Sequence, residues 1–161
     1  MIADELGFTK AAIYYHFRTR EQLLNAVVEP IFVQLRDIIT TAESQRSVHA
    51  RAEHMLSGYA ALAVQNRAVV SVLAGDPSVA TMLRSQHEWG DLINRQLALL
   101  ADVDPGPAGL VKAAFVLGGL ASAVGPTWVN LDEDALLRNV VETGRRTLGL
   151  RSPRNSRKEI E

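Results

Sequence analysis

The chain has 161 residues, 47% of them apolar and 22% charged, with a formal net charge of −1 and no cysteine. This bounds it to one globular domain, or one with a small appendage, and excludes a disordered chain, a disulfide framework and thiolate chemistry. A net charge near zero makes no overall case for a polyanionic partner, so any such case has to come from local charge.

The start, Met1-Ile2-Ala3-Asp4-Glu5, has early acids and no basic stretch before an apolar run, so it does not read as a signal peptide. Ala113 to Leu131 carries no charge and approaches a bilayer span in length. Gly118, Gly119, Ser122, Gly125, Pro126 and Asn130 interrupt it, and a doubly buried helix of a cytoplasmic protein is the better reading than a membrane span.

Apolar spacing is helical nearly throughout, with no alternating run and no hairpin dipeptide, which predicts an all-α fold. Ile2 to Leu6 reads as a piece of helix, broken by Gly7-Phe8-Thr9. Thr9 can cap a second short helix, Lys10 to Phe17, by offering its hydroxyl to first-turn amides. Thr19-Arg20-Glu21-Gln22 reads as a capping box that opens a long helix. One stripe of that helix holds Leu23, Val27, Ile31, Leu35 and Ile38; a neighbouring stripe holds Leu24, Val28, Phe32 and Ile39. Pro30 lies inside it, costs ~3 kcal/mol in an ordinary helix interior and predicts a kink.

A helix from Ser47 to Gln65 follows, then a short one from Asn66 to Ala74 ended by Gly75. Asp76-Pro77 restarts the chain as cap and first helical residue of a long helix running to Ala101. Asp104-Pro105-Gly106-Pro107 is a break. The segment from Ala108 to Gly125 is apolar almost all round, with Lys112 its only charge. Asp132, with Glu133 and Asp134 at the positive end, starts the last helix. Its inward face is Leu136, Leu137, Val140, Val141, Gly144 and Leu148, its outward face is Arg138, Asn139, Glu142, Arg145 and Arg146, and Gly149 terminates it. The polar stretch 151–161 reads as a disordered tail.

Chemistry concentrates near the front. Two short helices joined by a tight Gly-containing turn make a helix-turn-helix candidate. Between Gly7 and Arg20 stand Lys10, Arg18 and Arg20 and no acid. Tyr14, Tyr15 and His16 add groups suited to phosphate oxygens. Small Ala11 and Ala12 let the second helix sit deep in a major groove, and the amino end of the helix starting at Arg20 offers a further phosphate site.

The run Ile2-Ala3, then Gly7-Phe8-Thr9-Lys10-Ala11-Ala12-Ile13-Tyr14-Tyr15-His16-Phe17-Arg18-Thr19-Arg20-Glu21-Gln22-Leu23-Leu24, resembles the signature of the tetracycline-repressor (TetR) family. The resemblance implies a DNA-binding transcriptional regulator, a repressor released from a palindromic operator by a small-molecule effector. It implies an Ω-shaped homodimer in which the last two helices of each protomer form a four-helix interface. Residues 1–26 would be the helix-turn-helix domain and 27–150 the effector-binding and dimerisation domain. By resemblance, Thr9 caps the recognition helix and touches phosphate, and Lys10, Ala11 and Ala12 face base edges. Tyr14 and His16 sit at backbone-contacting positions with Tyr15 beside them, and Arg20 replaces the family's phosphate-binding Lys, keeping charge but changing geometry. The family has a first helix and the start of a second before this motif, and the chain begins inside the second. A helical ligand-binding and dimerisation module that no longer binds DNA is therefore the alternative reading.

Met55, Tyr59, Met82, His87, Trp89 and Trp128 are candidates to line a cavity for an apolar or amphipathic effector. Leu110, Ala114, Leu117, Gly118, Ala121, Val124, Leu136, Val140 and Gly144 are the candidate dimer contacts. His49 and His54 are five apart, wrong for one helical face, and no Cys or His pair completes a metal site. Neither a catalytic constellation nor a Gly-rich phosphate loop stands out, so the reading is a regulator with no cofactor and no enzymatic activity.

Overall fold

The computed structural model describes residues 17–75, 77–85, 87–125 and 131–150. Among the described residues every regular element is an α-helix: α1 (Arg20–Glu43), α2 (Val48–Gln65), α3 (Arg67–Gly75), α4 (Pro77–Ser85), α5 (His87–Ala101), α6 (Pro107–Val124) and α7 (Glu133–Leu148). The two short helices of the helix-turn-helix candidate and the polar tail lie outside the described residues.

Helix α1 starts as its sequence dictates. Thr19 is the extended cap, and its hydroxyl accepts from the Gln22 amide at 3.1 Å. Gln22 reaches back to accept from the Arg18 amide at 2.9 Å, one residue earlier than a strict capping box. The helix continues through Pro30, so the chain does not stop there. Its buried face is Val28, Phe32, Leu35, Ile39 and Ala42: three residues of the second predicted stripe with Leu35 and Ala42 added, while Leu24 of that stripe is half-buried.

Ser47 caps α2, accepting from the Ala50 amide, and Asp132 caps α7, accepting from the Ala135 amide at 2.7 Å. Gly149 ends α7 in the left-handed region at φ 78°, where its amide and that of Leu150 close on the Arg146 and Arg145 carbonyls. That geometry costs a side-chain-bearing residue ~1–2 kcal/mol.

The single long helix expected from Pro77 to Ala101 is corrected to two helices, α4 and α5. The buried residues explain the division. Val79 and Leu83 define the core face of α4, and Leu92, Gln96, Leu99 and Leu100 that of α5. Leu83 and Leu92 are nine residues apart, about two and a half turns at 3.6 residues per turn, which puts them on opposite sides of any straight helix.

α5 runs through the middle of the bundle, packed on α1, α2, α4 and α6. α7 packs on α2 and α6. At its crossing with α2, a Cβ on Gly144 would lie 2.6 Å from Leu56 Cδ1, so any larger residue there requires the buried Leu56 side chain to shift. Arg145, expected to face outward, instead binds Glu53 of α2 with its side chain about three-quarters buried. Arg95 makes a second two-point ion pair, with Glu43 of α1, and Arg36 pairs with Glu88.

Candidate functional site

Three surfaces bear on function: the front of the chain, the interior around α5, and the outer faces of α6 and α7.

At the front, Thr9, Lys10, Ala11, Ala12, Tyr14, Tyr15 and His16 lie outside the described residues. Arg20 is the first residue of α1. The end of α1 that was read as a phosphate site is capped by Thr19 and carries Glu21 in its first turn. Glu21 complements the helix dipole but opposes an anion placed there.

In the interior, Met55 is fully buried, and Tyr59 and Trp89 pack against the same core. Trp89 stacks on Phe32 of α1 with ring centroids 4.1 Å apart and planes 27° from parallel. Burial holds the Tyr59 phenol above its ordinary pKa, so it is neutral. Met82 is half-buried on α4. His87 is corrected to a surface residue: it is exposed at the start of α5, in solvent rather than against the core. Trp128 lies outside the described residues. Gln96 is the residue that the sequence reading missed. It is 4% exposed, the one buried polar side chain among the described residues, and its carboxamide nitrogen has no partner there. Leaving such a group unpaired costs ~1–3 kcal/mol. Its signal was legible: a polar residue in phase with Leu92 and Leu99 on an apolar stripe.

On the outer face, α6 is covered on one side by its own chain and open on the other, the side on which the sequence reading expects a partner. Gly109, Ala113, Val116, Leu120 and Val124 face the core. Leu110, Val111 and Phe115 stand open, Phe115 at 72% exposure. This helix is also long and apolar enough to cross a membrane by length and composition, with mean hydropathy 1.6. Between α6 and α7 runs an apolar groove of about 290 Å³, lined by Phe115, Gly119, Leu120, Ala123, Val140 and Thr143 among others.

The candidate dimer contacts divide on this geometry. Leu110, Ala114 and Gly118 are exposed, and Leu117, Ala121 and Val140 are half-buried. Val124, Leu136 and Gly144 are corrected: their places in the protomer core are filled, Gly144 by its approach to Leu56. Predicted contacts Leu110, Ala114, Leu117 and Ala121 lie one residue short of a stripe of exposed residues, Val111, Phe115, Gly118 and Ser122, a rotation of about 100°, and of that stripe the prediction included Gly118.

No group of three or more His, Asp or Glu side chains able to hold a metal occurs among the described residues.

Among the described residues the body is all-helical, and its first helix follows in the chain on the basic segment that carries the sequence motif. Residues 1–27 match the family model of bacterial regulatory proteins of the tetR family, and the match supports a TetR-family DNA-binding transcriptional regulator. The matched segment is the front of the chain; the body agrees with such a regulator in being helical throughout the described residues. No curated protein and no solved structure matched the chain.

Proposed function

We propose that the chain is a dimeric, effector-controlled transcriptional repressor of the cytoplasm. Its helix-turn-helix segment, residues 1–26, reads a palindromic operator through Lys10, Ala11 and Ala12, with Thr9, Tyr14, Tyr15, His16 and Arg20 on the phosphates. Its body, residues 27–150, binds a small effector and pairs with a second copy. The observation that carries this reading is the match of residues 1–27 to the family of bacterial regulators.

Dimerisation through α6 and α7 is supported by the open apolar face of α6. A helix apolar on two sides needs cover on both, and the protomer supplies one. Effector control is supported by the ties between α1 and the interior helix α5. Phe32–Trp89, Arg36–Glu88 and Glu43–Arg95 join them over the C-terminal half of α1. α1 continues from the reading segment, so a shift of α5 has a direct path to it. An effector acts by binding the two arrangements with different affinity.

The test is selection of bound duplexes from a random pool, followed by fluorescence anisotropy on the recovered site. Enriched sequences should be two-fold symmetric, with half-sites about one helical turn apart, ~34–36 Å. A pool that shows no enrichment removes the DNA-binding reading and leaves a helical ligand-binding and dimerisation module.

A further inference from the structure

One polar group in the body's interior has no partner among the described residues. Gln96 is buried in the middle of α5 with its carboxamide N–H groups unpaired among the described residues. Its neighbours along the same face of α5 are Leu92, Leu99 and Leu100, all buried and none able to accept a hydrogen bond through its side chain. Native interiors rarely hold a donor in this state, and a leucine or methionine would satisfy the stripe without penalty. Trp89 lies seven residues earlier, two turns along the same face, and stacks on Phe32.

We infer that Gln96 is the polar anchor of the effector site and that the effector is an uncharged, largely apolar molecule bearing a carbonyl-type oxygen, which accepts from the Gln96 amide. The inference rests on the reading of the body as an effector-binding domain. The donor is a neutral NH2, which selects an acceptor. The absence of any buried ionised side chain among the described residues selects against a charged ligand, which would enter without a counter-charge. The Phe32–Trp89 stack offers an aromatic wall for the apolar part. The location also has a consequence: an occupant at Gln96 sits on the helix that three contacts tie to α1.

The test uses the purified chain and Gln96→Leu, with matched probes: acetophenone and longer alkyl methyl ketones, the alkenes in which CH2 replaces the carbonyl oxygen, and carboxylates of the same skeleton. Isothermal titration calorimetry and thermal shift give the affinities. Ketones should bind the wild type roughly tenfold more tightly than the matching alkenes, the value of one good hydrogen bond, and carboxylates should gain no advantage. Gln96→Leu should bind the alkenes as well as the wild type does, lose the ketone preference, and melt no lower than the wild type. Equal binding of ketone and alkene to the wild type overturns the anchor while leaving the effector reading standing. A preference for carboxylates overturns the neutral class. A marked fall in melting temperature for Gln96→Leu marks the amide as structural and also overturns the anchor. Failure of every probe to bind either protein removes the effector site from this face of α5, and the proposal with it.

Discussion

Arg145 grips Glu53 with two of its guanidinium nitrogens, Nε lying 2.9 Å from one carboxylate oxygen and 3.0 Å from the other, and so pins α7 to α2. The hydrogen bond from Arg145, ahead of the desolvation that opposes it, holds the Glu53 carboxyl below its ordinary pKa of 4.5. Gly144, one residue earlier, lets the same two helices close on Leu56.

Glu53→Gln should destabilise the body by ~1–3 kcal/mol, because it leaves a guanidinium about three-quarters buried without its counter-charge. The pH dependence has a definite sign. The folded state favours the ionised carboxylate, so its contribution is complete above the unfolded value near 4.5 and is lost as pH falls through the lower folded value. Urea unfolding from pH 7 to pH 3 should show the wild type's advantage over Glu53→Gln flat at first and shrinking below pH 4.5. A difference that grows on acidification contradicts this assignment.

Gly144→Val should cost about 1–3 kcal/mol by overpacking, since Leu56 is buried and has little room to move. In a Leu56→Ala background the penalty should fall, because the new side chain then fills a gap. Equal penalties in both backgrounds, measured by denaturant unfolding, would place the strain elsewhere.

Phe115→Glu and Val111→Glu should convert a dimer to a monomer in sedimentation velocity while the helical circular dichroism is retained, because both residues already face outward. Val124→Ala should behave in the opposite way. It removes fully buried apolar volume, so it should lower stability by about 2 kcal/mol and leave the oligomeric state unchanged. A dimer that survives Phe115→Glu together with Val111→Glu is built on another face.

Operator affinity should fall steeply with salt. Lys10, Arg18 and Arg20 give a dimer six basic groups, and a slope near −0.9 per neutralised phosphate predicts a loss of roughly 5 in log K per decade of salt. Replacing Arg20 by Gln in both protomers should flatten the slope by about 2. Anisotropy across a salt series reads this directly, and a salt-independent affinity would rule out phosphate contacts by these side chains.

The sequence by itself determined the helical class, most helix ends and the segment that carries the family motif. Caps are local chemistry: Thr19, Ser47, Asp132 and Gly149 act on amides or carbonyls within five residues, so spacing alone reveals them. The motif from Gly7 to Leu24 is equally local, and residues 1–27 match the regulator family on the same stretch.

What only the tertiary structure decided was which apolar residue meets which partner. Leu136 and Leu110 look alike in sequence, but Leu136 fills the protomer core and Leu110 stands half exposed. A helix apolar all round carries no phase of its own, so the packing of α5 and α7 against α6 chose its buried stripe and left Phe115 outside. The same is true of Arg145, whose partner lies 92 residues earlier in the chain, and of Gln96. Its place on the stripe was legible, but whether a buried amide finds a partner depends on the helices packed around it, and among the described residues these supply none.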